Sequence, residues 1–210
     1  MDTAHGNSSG LAAIILAAGR SRRMGAFKPL LPFGETTVIE SCLRNLRAAH
    51  VDDLVIVVGH RGDEIRQFLK DADVRFATNR DPDGPMAASI ALGITEIKPP
   101  APAILITPVD HPAVEAETIT TIVDAWRRGA KLIQPEYHGR GGHPVLIDAG
   151  YRHELPHLDP TNGLRGFFLA HREEVLRLPV ESPYVARDLD TWEDYVALHE
   201  QVFERAPRKI

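Results

Sequence analysis

Hydrophobic and polar positions along the chain form short, continuous apolar runs, separated by segments in which apolar residues recur at helical spacing. The runs occupy residues 11–18, 54–58, 74–77, 103–107 and 175–180. They predict strands buried on both faces, because a strand with one exposed face would alternate apolar and polar residues. Strands of this kind that alternate with helices predict a parallel sheet covered by helices on both faces.

Two predicted helices begin at capping boxes. Thr37 and Glu40 have the required spacing, and so do Thr191 and Asp194. The helix after Thr37 carries Cys42 on its apolar face, so Cys42 is predicted to fill the core rather than to act as a nucleophile. The inner face of the last helix is predicted to consist of Trp192, Tyr195, Val196, Val202 and Phe203.

Size and composition indicate one enzyme-sized domain. The 210 residues suit a single domain over residues 10–210, and the polar residues 1–9 are expected to be frayed. The net charge of −5 argues against a broad nucleic-acid-binding surface. The single cysteine cannot form an internal disulfide, which favours a reducing cytoplasm. No apolar run reaches membrane-spanning length and no signal peptide is evident, so no membrane partner is expected.

A cationic loop follows the first apolar run. Gly19 ends the run, and the loop then carries Arg20, Arg22, Arg23 and Lys28. Glycine lets backbone N–H groups approach phosphate oxygens, and the cations neutralise their charge, so the loop predicts polyphosphate binding. Its glycine spacing does not fit the dinucleotide fingerprint, and Lys28 does not stand in the G-K-[ST] context of a P-loop. The alternative is a basic surface loop beside a core strand.

Polar residues follow other predicted strands at the sheet edge where α/β proteins bind ligands. Asn79 follows the third strand and Asp110 the fourth. Asp110 is predicted to hold Mg²⁺ against a triphosphate, and the alternative is a helix cap for the segment that starts near Val114. Asp190, in the turn before the last helix, is the candidate for a second Mg²⁺ ligand, and the alternative is that it only supports the turn.

A glycine-rich turn at residues 138–144 displays Arg140 and His143. These two side chains are predicted to face an anionic acceptor, and a flexible hairpin without ligand contact is the alternative. A zinc site formed by His138 and His143 is not favoured, because the chain has one cysteine and no paired C-x-x-C or H-x-x-x-H spacing nearby.

The chain resembles the MobA-like NTP transferase family in motifs from Ile14 to about Tyr195. The nucleotide loop of that family is matched by L-A-A-G at residues 16–19, R-M-G at 23–25 and K-x-L-L-P at 28–32. Three further motifs are P-V-D-H-P at residues 108–112, G-R-x-G-H-P at 139–144 and D-x-D-T-x-x-D at 188–194. The chain departs from the family pattern at Pro85 and Ala88, where glycine and serine are usual, which changes the contacts expected there.

The resemblance implies a three-layer α/β/α, Rossmann-like nucleotidyltransferase fold with a mostly parallel sheet. The nucleotide-binding residues that it implies are Leu16, Ala17, Ala18, Gly19, Ser21, Arg23, Gly25, Lys28, Asn79 and Ser89. It implies catalytic roles for Arg23, Lys28 and Asp110, and a Mg²⁺ ion on Asp110 and Asp190.

Within the family, the pattern resembles the molybdenum cofactor cytidylyltransferases, because guanylyl-transferring relatives tend to have L-A-G-G in place of L-A-A-G. The implied reaction is attack by the terminal phosphate of the acceptor on the α-phosphate of CTP, with release of pyrophosphate. Mg²⁺ is the implied cofactor and a molybdoenzyme is a candidate partner. Two alternatives stay open: an NTP transferase acting on a sugar or alcohol phosphate, and a non-catalytic nucleotide-binding chaperone for a cofactor.

Overall fold

The computed structural model describes residues 10–207, and the segment predicted to be frayed, residues 1–9, lies outside them. The strands are β1 (Ala12–Ala17), β2 (Pro32–Phe33), β3 (Thr36–Thr37), β4 (Asp53–Val58), β5 (Arg75–Thr78), β6 (Ala103–Pro108), β7 (Leu132–Tyr137), β8 (Arg140–Gly141), β9 (Val145–Asp148) and β10 (Val175–Pro179). The helices are α1 (Val38–Ala48), α2 (Gly62–Phe68), α3 (Met86–Glu96), α4 (Ala116–Arg127), α5 (Gly163–Ala170) and α6 (Trp192–Phe203). Within residues 10–207, none of the helices has the length and apolar character needed to span a membrane.

The main sheet carries its strands in the order β5-β4-β1-β6-β9-β7-β10, and β8 pairs with β7. β1 is parallel to β4 and to β6, β4 is parallel to β5, and β7 is parallel to β10. β9 runs antiparallel to β6 and β7, so the sheet is mostly parallel, as predicted. The chain builds β4 and β5 on one side of β1 and then crosses to form β6 on the other. This crossing creates a topological switch point between β1 and β6, where such sheets bind ligands.

Two hydrophobic cores cover the two faces of the sheet. Ala13 and Ile15 of β1 join the core beneath α1, α4 and α6, whereas Ile14 and Leu16 join the core beneath α3 and α5. Successive side chains of a strand point to opposite faces, and here both faces are buried. This is why β1 is a continuous apolar run, and the helices on both faces form the predicted three layers.

Both predicted capping boxes are present. The backbone N–H of Thr37 donates to Glu40 Oε2 at 2.8 Å, and that of Thr191 donates to Asp194 Oδ2 at 2.8 Å. In each box the threonine side chain accepts from the backbone N–H three residues later. Cys42 is buried in the core, as predicted, and this burial raises the pKa of its thiol.

The predicted inner face of α6 is wrong at Trp192. This residue is 39% exposed and packs on the ring of Tyr195, with 5.1 Å between the ring centroids. Tyr195 is fully buried, and its hydroxyl donates to the carbonyl oxygen of Pro32 at 2.6 Å. Leu198 and His199 are buried in addition. Trp192, the first residue of α6, therefore lies at the edge of the core and packs on Tyr195 from the solvent side.

A segment between β10 and α6, residues 183–190, crosses the sheet edge and is called the strap. Gly142 approaches the strap so closely that a Cβ at this position would overlap the carbonyl group of Val185. The backbone N–H of His143 donates to Val185 O at 2.8 Å, and that of Leu189 donates to Asp110 O at 3.2 Å. These contacts hold the end of the strap beside the end of β6.

Substitution Gly142→Ala is expected to destabilise the protein by about 2 kcal/mol or more, because the added methyl group meets backbone atoms that cannot rotate away. Gly19→Ala is the matched control, since a Cβ at Gly19 meets nothing within 4 Å. Urea denaturation of both variants measures the difference. Equal free energies of unfolding for the two variants would show that the close contact between Gly142 and Val185 is not needed to hold the strap in place.

Candidate functional site

A cleft of 330 Å³ opens at the switch point, where Leu16 of β1 pairs with Pro108 of β6. Most of the predicted site residues line this first cleft, namely Leu16, Ala17, Ala18, Gly19, Ser21, Arg23, Lys28, Asn79, Ser89, Asp110 and Asp190. Gly25, Arg140 and His143 do not line it. The ends of three strands, the cationic loop and the strap thus meet at one place.

Lys28 is the buried cation of the first cleft. It opens a short 3-10 helix, Lys28–Leu30, and is only 7% exposed. Its ammonium nitrogen lies 3.2 Å from Asp110 Oδ2 and 3.8 Å from Asp190 Oδ1. Removing an ammonium from water is unfavourable unless opposite charges and hydrogen bonds replace the water. The two carboxylates provide that replacement.

Asp110 retains an oxygen that no hydrogen bond satisfies. Its Oδ1 atom is buried without a hydrogen-bond partner, and His111 Nε2 lies 3.7 Å away from it. The structure excludes the predicted alternative of a helix cap, because α4 begins at Ala116 with Glu115 as its N-cap residue. Mg²⁺ prefers one or two carboxylates and completes its shell with phosphate oxygens and water. Asp110 and Asp190 fit such an ion.

Asp190 faces the cleft from the end of the strap. Its Oδ2 atom lies 2.8 Å from Arg23 Nη2, and its other oxygen is the one near Lys28. The turn itself is closed by the capping box of Thr191 and Asp194. The carboxylate of Asp190 is therefore available to the cleft and is not needed to close the turn.

Asn79 and Ser89 form a buried pair in the opposite wall. Asn79 Nδ2 donates to Ser89 Oγ at 2.9 Å, and Asn79 Oδ1 accepts from the backbone N–H of Asp81 at 2.9 Å. This pair joins the end of β5 to the first turn of α3. Pro85 is the N-cap residue of α3, so the helix forms despite the departure from the family pattern at this position.

The lining also contains residues that were not assigned individually to the site, among them Arg22, Pro82, Gly84, Met86 and Pro108. Arg22 belongs to the cationic loop, so its charge was a usable signal. Pro82 and Gly84 flank Asp83. The carboxylate of Asp83 pairs with Arg20 at 3.0 Å and with Arg22 at 2.8 Å. No sequence pattern marks Asp83, because the pairing joins residues that are more than sixty positions apart.

Gly25 lies in a separate pocket that adjoins the first cleft and that also contains Phe27, His60 and Arg61. Its φ of +71° is in the left-handed region, which glycine adopts without strain. Gly25 therefore allows the backbone of the loop to turn. It was predicted to contact the nucleotide, but it does not line the first cleft.

A second cleft, of 490 Å³, lies beside the first, between α5 and the strands β7, β9 and β10. Its lining combines apolar and cationic side chains, including Val145, Phe168, Arg165, Arg172 and Arg177. Val145 pairs with Ile106, two residues before Pro108 of the first cleft, so the two clefts are neighbours. His143 lines the second cleft, whereas Arg140 is exposed on β8 and lines neither cleft.

Burial keeps His143 neutral. The loss of water, and secondly the neighbouring His111, lower the pKa of His143 from 6.5 to about 4, although the Ile106 carbonyl and Asp110 favour the charged form. Its Nδ1 lies 3.4 Å from the Ile106 carbonyl oxygen, and the rings of the two histidines are 5.2 Å apart between centroids. At neutral pH, His143 therefore offers the second cleft a polar ring without charge.

Comparison with known protein families gives one match over most of the chain. A model of the MobA-like NTP transferase domain matches residues 13–175. The molybdenum cofactor cytidylyltransferase of Escherichia coli K12 is 25% identical over 204 residues, which cover 93% of this chain and 99% of that protein.

Solved structures agree with this match. Rv0371c from Mycobacterium tuberculosis H37Rv is 29% identical, with a TM-score of 0.81, over 90% of this chain and 97% of that chain. A structure of Rv0371c in complex with manganese has a TM-score of 0.76 at 29% identity, over 91% of this chain and 99% of that one. A nucleotidyl transferase from Methanothermobacter thermautotroptrophicus is 26% identical, with a TM-score of 0.80, over 95% of this chain and 99% of its own. These similarities confirm the predicted three-layer fold.

The neutral state of His143 predicts a pH-dependent stability. Between pH 6.5 and pH 4 the unfolded chain binds a proton at this position and the native protein does not, so the free energy of unfolding should fall as the pH falls through this window. The shift in pKa corresponds to roughly 3 kcal/mol. Urea denaturation at several pH values should show a smaller fall for His143→Gln than for the wild type. The exposed His157 provides the control variant, His157→Gln, and an equal fall in all three proteins would contradict the prediction.

Proposed function

Since the chain belongs to the MobA-like NTP transferase family and is a nucleotidyltransferase, we propose that it transfers CMP from CTP to the terminal phosphate of the molybdenum cofactor and releases pyrophosphate. The observation that carries the proposal is the buried Lys28, held by Asp110 and Asp190 beside a cationic loop at the switch point of the sheet. The relative from Escherichia coli, similar over nearly its whole length, carries the cytidylyltransferase name.

The proposed chemistry is one displacement at phosphorus. An oxygen of the acceptor phosphate forms a bond to the α-phosphorus of CTP while the bond to the bridging oxygen breaks, and pyrophosphate leaves with that electron pair. Enzymes accelerate such transfers by positioning and by charge neutralisation, without a covalent intermediate. Lys28 and Arg23 are the residues of this chain that we assign to neutralising the phosphates, with Gly19 allowing close backbone approach.

Mg²⁺ is the cofactor in this proposal, held by Asp110 and Asp190. When bound, it would polarise the reacting phosphate and neutralise part of the triphosphate charge. The unsatisfied oxygen of Asp110 supports this assignment, and so does the manganese in the structure of Rv0371c. The same two carboxylates orient the ammonium group of Lys28 toward the cleft.

We assign CTP as the nucleotide on the basis of Ala18. Ala18 lines the first cleft at the end of β1. It also lies against Gly59, where a Cβ would come within 3.0 Å of the Ala18 methyl carbon and within 2.7 Å of the Ala18 carbonyl oxygen. Because the backbone is packed this closely, the strand end cannot shift to enlarge the site. Alanine at this position, where guanylyl-transferring relatives tend to have glycine, leaves less room for the base. A pyrimidine base fits the smaller space better than a purine base does.

We place the acceptor in the second cleft. Three arginines at its border suit an anionic ligand, and its apolar floor suits the non-charged body of that ligand. The neutral His143 at its edge would contribute a hydrogen bond. Arg140, exposed on β8, stays a candidate for contact with the acceptor at the rim.

The cellular setting is part of the proposal. A cytoplasmic location is supported by the single cysteine of the chain, which is buried and unpaired. A molybdoenzyme is the proposed recipient of the product.

Substitution Asp110→Asn keeps the shape of the side chain and removes its charge. Pyrophosphate release from CTP in the presence of Mg²⁺ and acceptor should fall by at least about a hundredfold, because the metal and Lys28 lose a charged partner. Asp124→Asn is the control, since Asp124 pairs with Arg127 on the exposed surface of α4. Unchanged turnover and Mg²⁺ dependence in a folded Asp110→Asn protein would contradict the metal assignment.

The choice of nucleotide is tested by calorimetric titration with all four NTPs in the presence of Mg²⁺. CTP should bind about tenfold more tightly than GTP, since steric rejection at one methyl group is worth ~1–3 kcal/mol. The variant Ala18→Gly should reduce this ratio by tightening GTP binding. If GTP or ATP binds the wild type more tightly than CTP does, the cytidylyl assignment is wrong and the family assignment is unaffected.

A further inference from the structure

Asp83 pairs with two arginines of the cationic loop beside the first cleft. Arg22 and the two neighbours of Asp83, Pro82 and Gly84, line this cleft, whereas Arg20 lines the adjoining pocket that contains Gly25. Arg20 Nε donates to the carboxylate at 3.0 Å and Arg22 Nη2 donates at 2.8 Å. The side chain of Asp83 is 47% exposed and that of Arg22 is 72% exposed. Ion pairs with this exposure contribute little to stability, so a more highly charged anion can replace one partner.

The turn that carries Asp83 is held in place. Asp81 Oδ1 accepts from the backbone N–H of Asp83 at 3.3 Å, and Asn79 in turn accepts from the N–H of Asp81 at 2.9 Å. A Cβ at Gly84 would lie 2.7 Å from Asp81 Oδ2, so the turn is also tightly folded. The carboxylate is therefore presented by a fixed backbone. The long side chain of Arg22 is the part of the pair that can rotate.

The surroundings of Asp83 differ from those of Asp110. Both side-chain partners of Asp83 are cations of the loop, and its carboxylate has hydrogen bonds from both of them. Asp110, by contrast, has a buried oxygen without a hydrogen-bond partner. The carboxylate of Asp83 therefore neutralises the charge of these two arginines.

We propose that Asp83 is a counter-ion that the β- and γ-phosphates of the nucleotide displace from Arg20 and Arg22. The inference rests on the proposed function, in which Lys28 and Arg23 neutralise the phosphates, and it adds that the β- and γ-phosphates extend toward Arg20 and Arg22. Because the carboxylate competes for the same guanidinium groups, it weakens triphosphate binding and favours release of pyrophosphate. A nucleoside monophosphate has no outer phosphates and does not compete with Asp83.

Isothermal titration of Mg²⁺-CTP, pyrophosphate and CMP into the wild type and Asp83→Asn tests this role. Asparagine keeps the shape and removes the charge, so CTP and pyrophosphate should bind about fivefold more tightly to the variant. CMP binding should change by less than about twofold, since CMP does not reach these arginines. Asp124→Asn removes a similar exposed carboxylate from an arginine pair on α4 and should leave all three affinities unchanged.

The outcomes separate this inference from the proposed function. Unchanged or weaker CTP binding to a folded Asp83→Asn protein would overturn the counter-ion role and leave the nucleotide site intact. An equal gain for CMP would also overturn it, since the effect would then not depend on the outer phosphates. If CTP binds neither protein, both the proposed function and the inference fail. Thermal melts followed by circular dichroism confirm that the variants are folded.

Discussion

The first cleft depends on the buried ammonium group of Lys28, which needs negative charge close to it on the protein side. Asp110 and Asp190 supply this charge from the end of β6 and from the strap, which are far apart in the chain. A buried ion pair is stable only when its geometry is maintained, and loss of one partner leaves an uncompensated charge. The hydrogen bond from Leu189 to Asp110 O and the close approach of Gly142 to the strap maintain that geometry.

Charge pairing extends to the rest of the cationic loop. Arg23 pairs with Asp190, and Arg20 and Arg22 pair with Asp83. In the proposed function, phosphate groups that enter the cleft exchange with these carboxylates. The carboxylates are not equivalent. An unsatisfied oxygen suits Asp110 to a cation, whereas the two guanidinium groups satisfy Asp83. The same residue type therefore suits the proposed metal ligand at one wall and the proposed counter-ion at the other.

The sheet explains why the two clefts are adjacent. Both faces are buried, so the strands are rigid, and the reversal of strand order leaves a crevice between β1 and β6. The antiparallel β9 lies next to β6 and carries Val145 into the second cleft. A nucleotide in one cleft and an acceptor in the other would meet across the end of β6, where Asp110 follows the strand.

The sequence by itself determined the features that depend on residues close together in the chain. Continuous apolar runs specify strands buried on both faces, Thr37 and Thr191 specify helix starts, and the loop after β1 concentrates glycine and cations. The parallel sheet with helices on both faces and the capping boxes follow from these patterns, whereas much of the predicted cleft lining was implied by the resemblance to the MobA-like family. Asp110 could be selected because it directly follows a buried strand.

Only the tertiary structure decided which distant side chains meet. The packing of separate elements determines that Lys28 pairs with Asp190 and that Asp83 pairs with Arg22. It also determines that Trp192 is exposed. The position of Gly25 outside the cleft depends on the path of the loop, which glycine spacing does not specify. Local patterns encode backbone conformation and burial, whereas side-chain approach over long sequence separations is set by the packing of the whole sheet, because a small shift of one element changes every contact at its end.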